Sequence, residues 1–431
     1  MELAALLMLA QMFFMLAVSP LGKISPSALL AGAWAFVFTL QSLFASDMKS
    51  SLLATFAIFI VTLSFAVGEL IACGGIRLVS HAQEKHPAML TLARDGSDCE
   101  RQLKSIVIAF GTLGILGVFA YAYAMGLLEA RSFTDLIVLP GIARIQVFSG
   151  QRVIPAYSKV CLLFAYPGVV LALAYYYLYS WRWWLSLPMI GVLLYGISES
   201  GRAGTMIVIV QVALTIYLKN VIALKRSVRQ LVMISVVMPA ALIVFVFVGM
   251  EFLREGFSST GLDGIMRVML SSRAYLFGGL SAFSYWINSI YDPWRITFGK
   301  YSFSSLFNAL GIAKQEVGIY DFYAPISSQN EVSNVYTAYR SFIEDYTIWG
   351  ACLLYFVAGV FISSITKGIA KGKRYLIPVL IPLLSWLALS PMFSATYFNS
   401  FLLSCVLPYF LVRWASRGQD GHNLRDLRQL R

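Results

Sequence analysis

The sequence predicts an all-α polytopic membrane protein, with about 11 (10–12) transmembrane helices and a large periplasmic loop before the last three. Three observations carry that prediction. Of 431 residues, 59% are hydrophobic and only 13% charged, where a soluble domain carries roughly 25% charged. The apolar residues are gathered into runs almost free of charge that recur along the whole chain. As helix, about 20 such residues cross a hydrocarbon core of ~30 Å. The basic residues, finally, are divided unequally between the connections.

Taken in order, the runs are Leu3–Ser19, Ser27–Phe44, Leu52–Ala72, Ser105–Leu128, Val160–Tyr179, Trp183–Ser198, Ala203–Leu218, Gln230–Gly249, Tyr346–Ile365, Tyr375–Met392 and Thr396–Val412. Backbone polar groups in lipid must be satisfied within the segment, so each run is expected to be helical. The organisation is then spans one to eight over 1–249, the large loop over 250–345, three spans over 346–412 and a basic tail over 413–431. With the C-terminus inside, the cytoplasmic connections hold 20 of the 33 Lys and Arg, and the outer ones 13. That bias places the N-terminus outside and the C-terminus in the cytoplasm. The net charge of +12 is therefore a topology signal, and no nucleic-acid partner is expected.

Two outer connections are too long to be plain connectors: Glu129–Lys159 and Met250–Asp345. Within the second, Asp263–Ile290 has apolar residues at Ile265, Met269, Leu276, Leu280 and Phe283, the spacing of one or two amphipathic helices against the membrane or over a cavity. Tyr291-Asp292-Pro293-Trp294 is a turn signal. A helix is expected to resume near Glu331 and run into the span at Tyr346. The five cysteines fall on cytoplasmic or intramembrane positions without metal-ligand spacing, as small buried apolar residues would.

Three groups of residues have the chemistry of a site. Ser198-Glu199-Ser200-Gly201-Arg202-Ala203-Gly204 joins two short spans. Arg202 at a helix start suits a phosphate group, the competing reading being an Arg that snorkels to headgroups. The second group is the outer arginines: Arg131, Arg144, Arg152, Arg254, Arg267, Arg273, Arg295 and Arg340. Arg outnumbers Lys on a face that should be poor in both, and Arg is the bidentate ligand of phosphate and carboxylate. Taken singly, each is better explained by pairing with a local acid such as Glu251, Glu255 or Asp263; as a group they point to an anionic substrate. The third is Asn334, Tyr336, Arg340, Glu344 and Asp345; on one continuous helix Asn334, Ala338 and Glu344–Asp345 would straddle one broad face, with Tyr336 and Arg340 at i, i+4. No DxD pair and no Walker-type loop appears, and every His falls on the cytoplasmic side. No metal and no cofactor is expected.

These residues carry a resemblance. Ser200-Gly201-Arg202-Ala203-Gly204, the stretch Tyr275-Leu276-Phe277-Gly278-Gly279 through Ala282-Phe283, and Asn334-Val335-Tyr336-Thr337 with Glu344-Asp345-Tyr346 and Gly350 resemble blocks of the O-antigen polymerases, the Wzy-type oligosaccharide repeat-unit polymerases. The hydropathy layout, with a long outer loop late in the chain, is similar as well. Where the family pattern has Gly after the aromatic residue, this chain has Thr347.

The resemblance implies a periplasmic, metal-independent glycosyltransferase that joins undecaprenyl-diphosphate-linked oligosaccharide repeat units into a surface polysaccharide such as O-antigen. It implies diphosphate binding by Arg202, Arg267, Arg273 and Arg340 together, and a catalytic set drawn from Glu199, Glu344, Asp345, Tyr336 and Asn334. The implied partners are the lipid-linked glycan, membrane lipid and a chain-length regulator protein. The nearest alternatives are an O-antigen ligase, which would carry His where Ser333 stands, and a lipid-linked oligosaccharide flippase. A transporter would place ionisable groups in several spans, whereas Glu69 is the only clear one.

The charge asymmetry yields a direct test. A reporter fused after Arg417 is expected to be active only in the cytoplasm, and one inserted near Tyr320 only in the periplasm. Activity of both on one side of the membrane would overturn the loop assignment.

Overall fold

The computed structural model describes residues 2–48, 50–75, 97–199, 201–224, 249, 262–312, 320, 322–328 and 331–429. The helices are α1 (Glu2–Val18), α2 (Pro26–Phe44), α3 (Leu52–Cys73), α4 (Ser97–Ala124), α5 (Phe133–Phe148), α6 (Ala156–Leu178), α7 (Ser186–Ser198), α8 (Ala203–Lys219), α9 (Leu262–Ser289), α10 (Ser304–Ala309), α11 (Ala338–Ala370), α12 (Ile377–Leu389) and α13 (Asn399–Gln429). A small antiparallel pair, β1 (Ala324–Pro325) and β2 (Val332–Ser333), joins Ala324 to Ser333 and Pro325 to Val332. Among the described residues six helices are long and apolar enough to cross a membrane: Pro26–Phe44, Leu52–Cys73, Cys99–Ala124, Ala156–Leu178, Ala203–Ile222 and Ala338–Ala370. The expected segments overlap helices, except Gln230–Gly249, which lies outside the described residues apart from Gly249.

The chain divides into two compact units. The first takes Met1–His81, Met266–Lys371 and Leu383–Asn399. Its helix starts follow the sequence locally. Ser25 caps α2 by accepting from Ala28 N at 3.2 Å, with Pro26 as the first helical residue, and Ser51 caps α3 through Ala54 N at 3.1 Å. Glu69 is fully buried within α3 yet does not stand alone. Its carboxylate accepts from Ser25 Oγ at 2.7 Å, from Ser27 N at 2.8 Å and from Ser19 Oγ. One carboxylate thus serves the orphan donors at the start of α2.

α3 and α11 are held together by close backbone approach. A Cβ on Gly68 would lie 2.2 Å from the Phe356 carbonyl oxygen, and one on Gly359 would lie 2.2 Å from that of Phe65. Only glycine at both positions admits this reciprocal contact, the small-residue packing that lets helices associate in lipid. At one end of the pair Lys367 Nζ donates to the Ala72 and Cys73 carbonyls at 3.2 and 3.4 Å, closing the C-terminus of α3. Further along, the Thr62 and Tyr339 hydroxyls share a hydrogen bond at 2.9 Å.

The expected amphipathic stretch Asp263–Ile290 forms one helix, α9, and the Tyr291–Trp294 turn follows it, with Trp294 N donating to Asp292 Oδ1 at 3.0 Å. The C-terminal half of α9 is not laid on a surface. Gly278–Ser284 is buried within the first unit, where Gln41 Nε2 donates to Ser281 Oγ at 2.9 Å and Ser51 N to Ser284 Oγ at 3.1 Å.

A second expectation is corrected. No helix resumes at Glu331: β2 and an extended segment occupy Val332–Thr337, and α11 begins at Ala338 with Thr337 as its N-cap. Asn334 therefore shares no helix face with Glu344, and Tyr336 and Arg340 are not a helical i, i+4 pair. The physical reason is that Ile326 N donates to Glu331 O at 2.9 Å, which pairs this stretch with β1 instead.

The second unit comprises Ala82–Ile265, Gly372–Pro382 and Ser400–Arg431. Here α4 packs along α6 and α7, and Ser158 Oγ donates to the Gly117 carbonyl at 2.9 Å. Lys219 at the end of α8 donates to the Tyr176 and Tyr179 carbonyls and lies 4.1 Å over the Tyr176 ring. The expected long connection Glu129–Lys159 contains α5, started by a reciprocal capping box between Ser132 and Asp135.

The glycine contact sets a prediction. Gly359→Ala must push α11 off α3 and is expected to cost about 1–3 kcal/mol, as overpacking does. Gly141→Ala in α5 meets nothing within 4 Å and serves as the control. Thermal midpoints in detergent check the pair, and equal midpoints for the two variants would refute the contact.

Candidate functional site

The start of α11 carries most of the chemistry of the first unit. The N–H of Ala338 is taken by the Ser390 carbonyl at 2.9 Å, and Arg340 follows half a turn later. Arg340 is 4% exposed. Its guanidinium carbon lies 3.6 Å from the Tyr320 ring centroid and 3.7 Å from that of Tyr336, with the Trp286 ring at 5.2 Å. Desolvated contacts of this kind contribute about 2 kcal/mol each. Its Nε donates to Glu344 Oε2 at 3.2 Å, one helical turn on. Nη1 is buried without a hydrogen-bond partner among the described residues.

The aromatic walls are themselves tied down. Tyr336 Oη donates to the Phe322 carbonyl at 3.0 Å, and Tyr320 stacks on Tyr301 at 5.6 Å. Burial, and secondarily the neighbouring Tyr397, pushes the Tyr320 hydroxyl well above its ordinary pKa, with Arg340 opposing. Phe322 also stacks on Tyr285, ring centroids 5.8 Å apart and planes within 14°.

Asp345, next to Glu344, is fully buried and turned to a different task. Its carboxylate accepts from Ser302 N at 2.6 Å, from Tyr301 N at 3.1 and 3.2 Å, and from the Thr297 hydroxyl. Its backbone carbonyl accepts from Thr297 N and Phe298 N, both at 3.3 Å. Asp345 thereby holds the 297–302 loop, and that loop presents Tyr301 to Tyr320.

Directly after this pair α11 breaks. Thr347 has φ 64° and ψ 172°, a region that suits glycine and strains a β-branched residue. Its hydroxyl accepts from Gly350 N at 3.5 Å, the position an N-cap would take for the helix that restarts there. The residue that departs from the family pattern thus stands in a glycine conformation.

The remaining candidates of the first unit are placed as follows. Asn334 is half-buried between β2 and Tyr336. Arg273, on α9, donates through Nη2 to Asp47 and to Glu331 Oε2 at 3.2 Å, so two carboxylates already offset its charge. Arg267 lies in α9, with its side chain outside the described residues.

Glu199 and Arg202 belong to the second unit. Glu199 terminates α7, its N–H bonded to the Tyr195 carbonyl at 2.9 Å. Burial raises its carboxyl above the usual range, countered by the Tyr195 hydroxyl and then by Arg144. Arg202 is buried at the start of α8. The close approach that Gly204 permits is to an internal group, since a Cβ there would lie 1.8 Å from Tyr166 Oη.

The structure therefore joins Arg340, Glu344 and Tyr336 directly, places Asp345 beside them as a loop anchor, and leaves Asn334 at the margin. Sequence reading missed Tyr320, Trp286 and Tyr301, which come from separate segments. It also missed the Arg340–Glu344 pair, which the i, i+4 spacing signals. Among the described residues no group of three or more His, Cys, Asp or Glu is placed to hold a metal ion.

The strained break is testable. Thr347→Gly removes the strain and gives up a cap worth only a few tenths of a kcal/mol against glycine, so a net gain of about 1 kcal/mol is expected. Thr347→Ala keeps the strain and loses the cap, and is expected to destabilise. Thermal midpoints that move in the opposite order would show that Thr347 is not strained.

Compared with protein-family models, curated proteins and solved structures, the chain matches none of them.

Proposed function

We propose that this chain is an inner-membrane glycosyltransferase that joins undecaprenyl-diphosphate-linked oligosaccharide repeat units on the periplasmic side, as the O-antigen polymerases it resembles do. One observation supports the reading above the others: Arg340 is buried among aromatic rings, its Nη1 has no hydrogen-bond partner among the described residues, and Glu344 is one turn away. A buried cation with spare hydrogen-bonding capacity next to a carboxylate is the arrangement a polar substrate completes.

The reaction needs little else. An acceptor hydroxyl attacks the anomeric carbon of the donor sugar, the bond from that carbon to the diphosphate oxygen breaks, and the hydroxyl proton passes to a carboxylate. Glu344 is the candidate base, because its side chain is 15% exposed while Asp345 has none to spare. The diphosphate leaves as a stable anion, so the donor itself supplies the driving force. Arg202, at the start of α8 in the second unit, is a separate candidate for that anion that rests on the sequence resemblance alone.

The flippase alternative draws less support. Transport of a charged lipid calls on ionisable groups within the spans, and Glu69 is already occupied by three donors, Ser19 after α1 and Ser25 and Ser27 at the start of α2.

Purified protein given lipid-linked repeat units is expected to polymerise them in excess EDTA with no nucleotide added. Glu344→Gln should lower the rate by roughly 10²–10⁴, the range of general-base catalysis, and Arg202→Ala should abolish polymer at normal protein level. Activity lost in EDTA and restored by magnesium would overturn the metal-independent mechanism. A requirement for a nucleotide sugar would overturn the lipid-linked donor.

A further inference from the structure

We infer that the Arg340–Glu344 pair and its aromatic walls bind a neutral sugar ring, the terminal sugar of the acceptor, and not a diphosphate. The inference rests on the polymerase reading and departs from the expectation that Arg340 holds the anionic leaving group.

Charge is the first argument. A diphosphate needs surplus positive charge, and the described groups that face Glu344 offer none. Arg340 is paired with Glu344 at 3.2 Å. The further charges facing Glu344 are Arg295 and Asp345, which again offset one another. Arg273, elsewhere in the same unit, already holds Asp47 and Glu331. Two phosphates brought to a neutral cluster would lose their hydration without gaining a counter-charge.

Donor geometry is the second. Diphosphate and carboxylate are held by the guanidinium fork, two parallel N–H groups at once. In Arg340 the Nε is spent on Glu344, the Tyr320 and Tyr336 rings lie 3.6 and 3.7 Å from the guanidinium carbon, and Nη1 is the buried donor without an acceptor among the described residues. The two N–H groups of Nη1 match neighbouring hydroxyl or ring oxygens. The Glu344 carboxylate accepts a hydroxyl beside them, so the pair offers donors and an acceptor to adjacent oxygens of a pyranose.

The third is the apolar face. Tyr336 is joined through its hydroxyl to Phe322, and Phe322 stacks on Tyr285 with both rings partly open, 40% and 36% exposed. A flat pair of rings open to solvent beside a polar edge suits the C–H face of a sugar, and gives nothing to a phosphate.

The experiment uses the full chain in lipid nanodiscs. Methyl glycosides of neutral hexoses and of N-acetylhexosamines are titrated against tryptophan fluorescence, since Trp286 lies 5.2 Å from the guanidinium, and inorganic pyrophosphate is titrated in parallel. At least one glycoside is expected to give a saturable change. Tyr285→Ala and Glu344→Gln should each weaken it about tenfold, the loss of one good polar or stacking contact, with no effect on any pyrophosphate response. Tyr285 is partly exposed, so its variant keeps the test sound should Glu344→Gln fold poorly. Absence of glycoside binding, or glycoside binding unchanged in both variants, would overturn the inference. So would a pyrophosphate response lost in Arg340→Met. Polymerisation without any glycoside response sinks this inference alone, whereas glycoside binding in a chain that never polymerises lipid-linked units sinks the polymerase reading instead.

Discussion

The reciprocal contact of Gly68 and Gly359 is where the geometry of the first unit begins. Helices in lipid gain nothing from hiding apolar side chains from one another, so their association depends on how closely backbones can approach. With each glycine set against the partner's carbonyl, α3 and α11 are fixed in rotation as well as distance. That rotation turns Tyr339 toward Thr62 and Trp34. The neighbouring residue, Arg340, points to a different side of the helix, among Tyr320, Tyr336 and Trp286. A larger residue at either glycine would displace the wall on which the arginine stands.

The break at Thr347 separates two jobs within α11. Beyond it the helix is apolar and packs against α3; before it sit Arg340, Glu344 and Asp345, none of which could continue into lipid unpaired. Strain of this kind persists only where the surroundings over-determine it. Here they do so from both sides. Asp345 is held by the donors of the 297–302 loop, and Ile348 N donates to the Tyr291 hydroxyl at 3.4 Å. The loop and the break stabilise each other, and Tyr301 reaches Tyr320 as a consequence.

Charges that bias the sequence toward one orientation also have local work. Lys367 closes the C-terminus of α3, and Lys219 closes that of α6. An ammonium over exposed carbonyls both satisfies orphan acceptors and complements the helix dipole. Glu69 does the converse for the donors at the start of α2. Ion placement in this chain therefore follows from helix ends as much as from the membrane field, and the same groups serve both.

What the sequence makes legible follows from how local each signal is. Run length marks the helices because the requirement to satisfy the backbone inside lipid acts within one segment. The turn after α9 is equally local, set by Asp292 and Pro293. Arg340 stood out as a basic residue on a face that should lack them, yet its surroundings could not be read, because Trp286, Tyr320 and Tyr336 are distant in sequence and meet only through the α9, β1–β2 and α11 packing. Arg273 shows the opposite error. It has the same residue type and the same expected face, but Asp47 and Glu331 reach it from two other segments and neutralise it. Thr347 is the most instructive position: read as a string it is a departure from a glycine pattern, and in the fold it occupies the backbone conformation that a glycine there would take without strain.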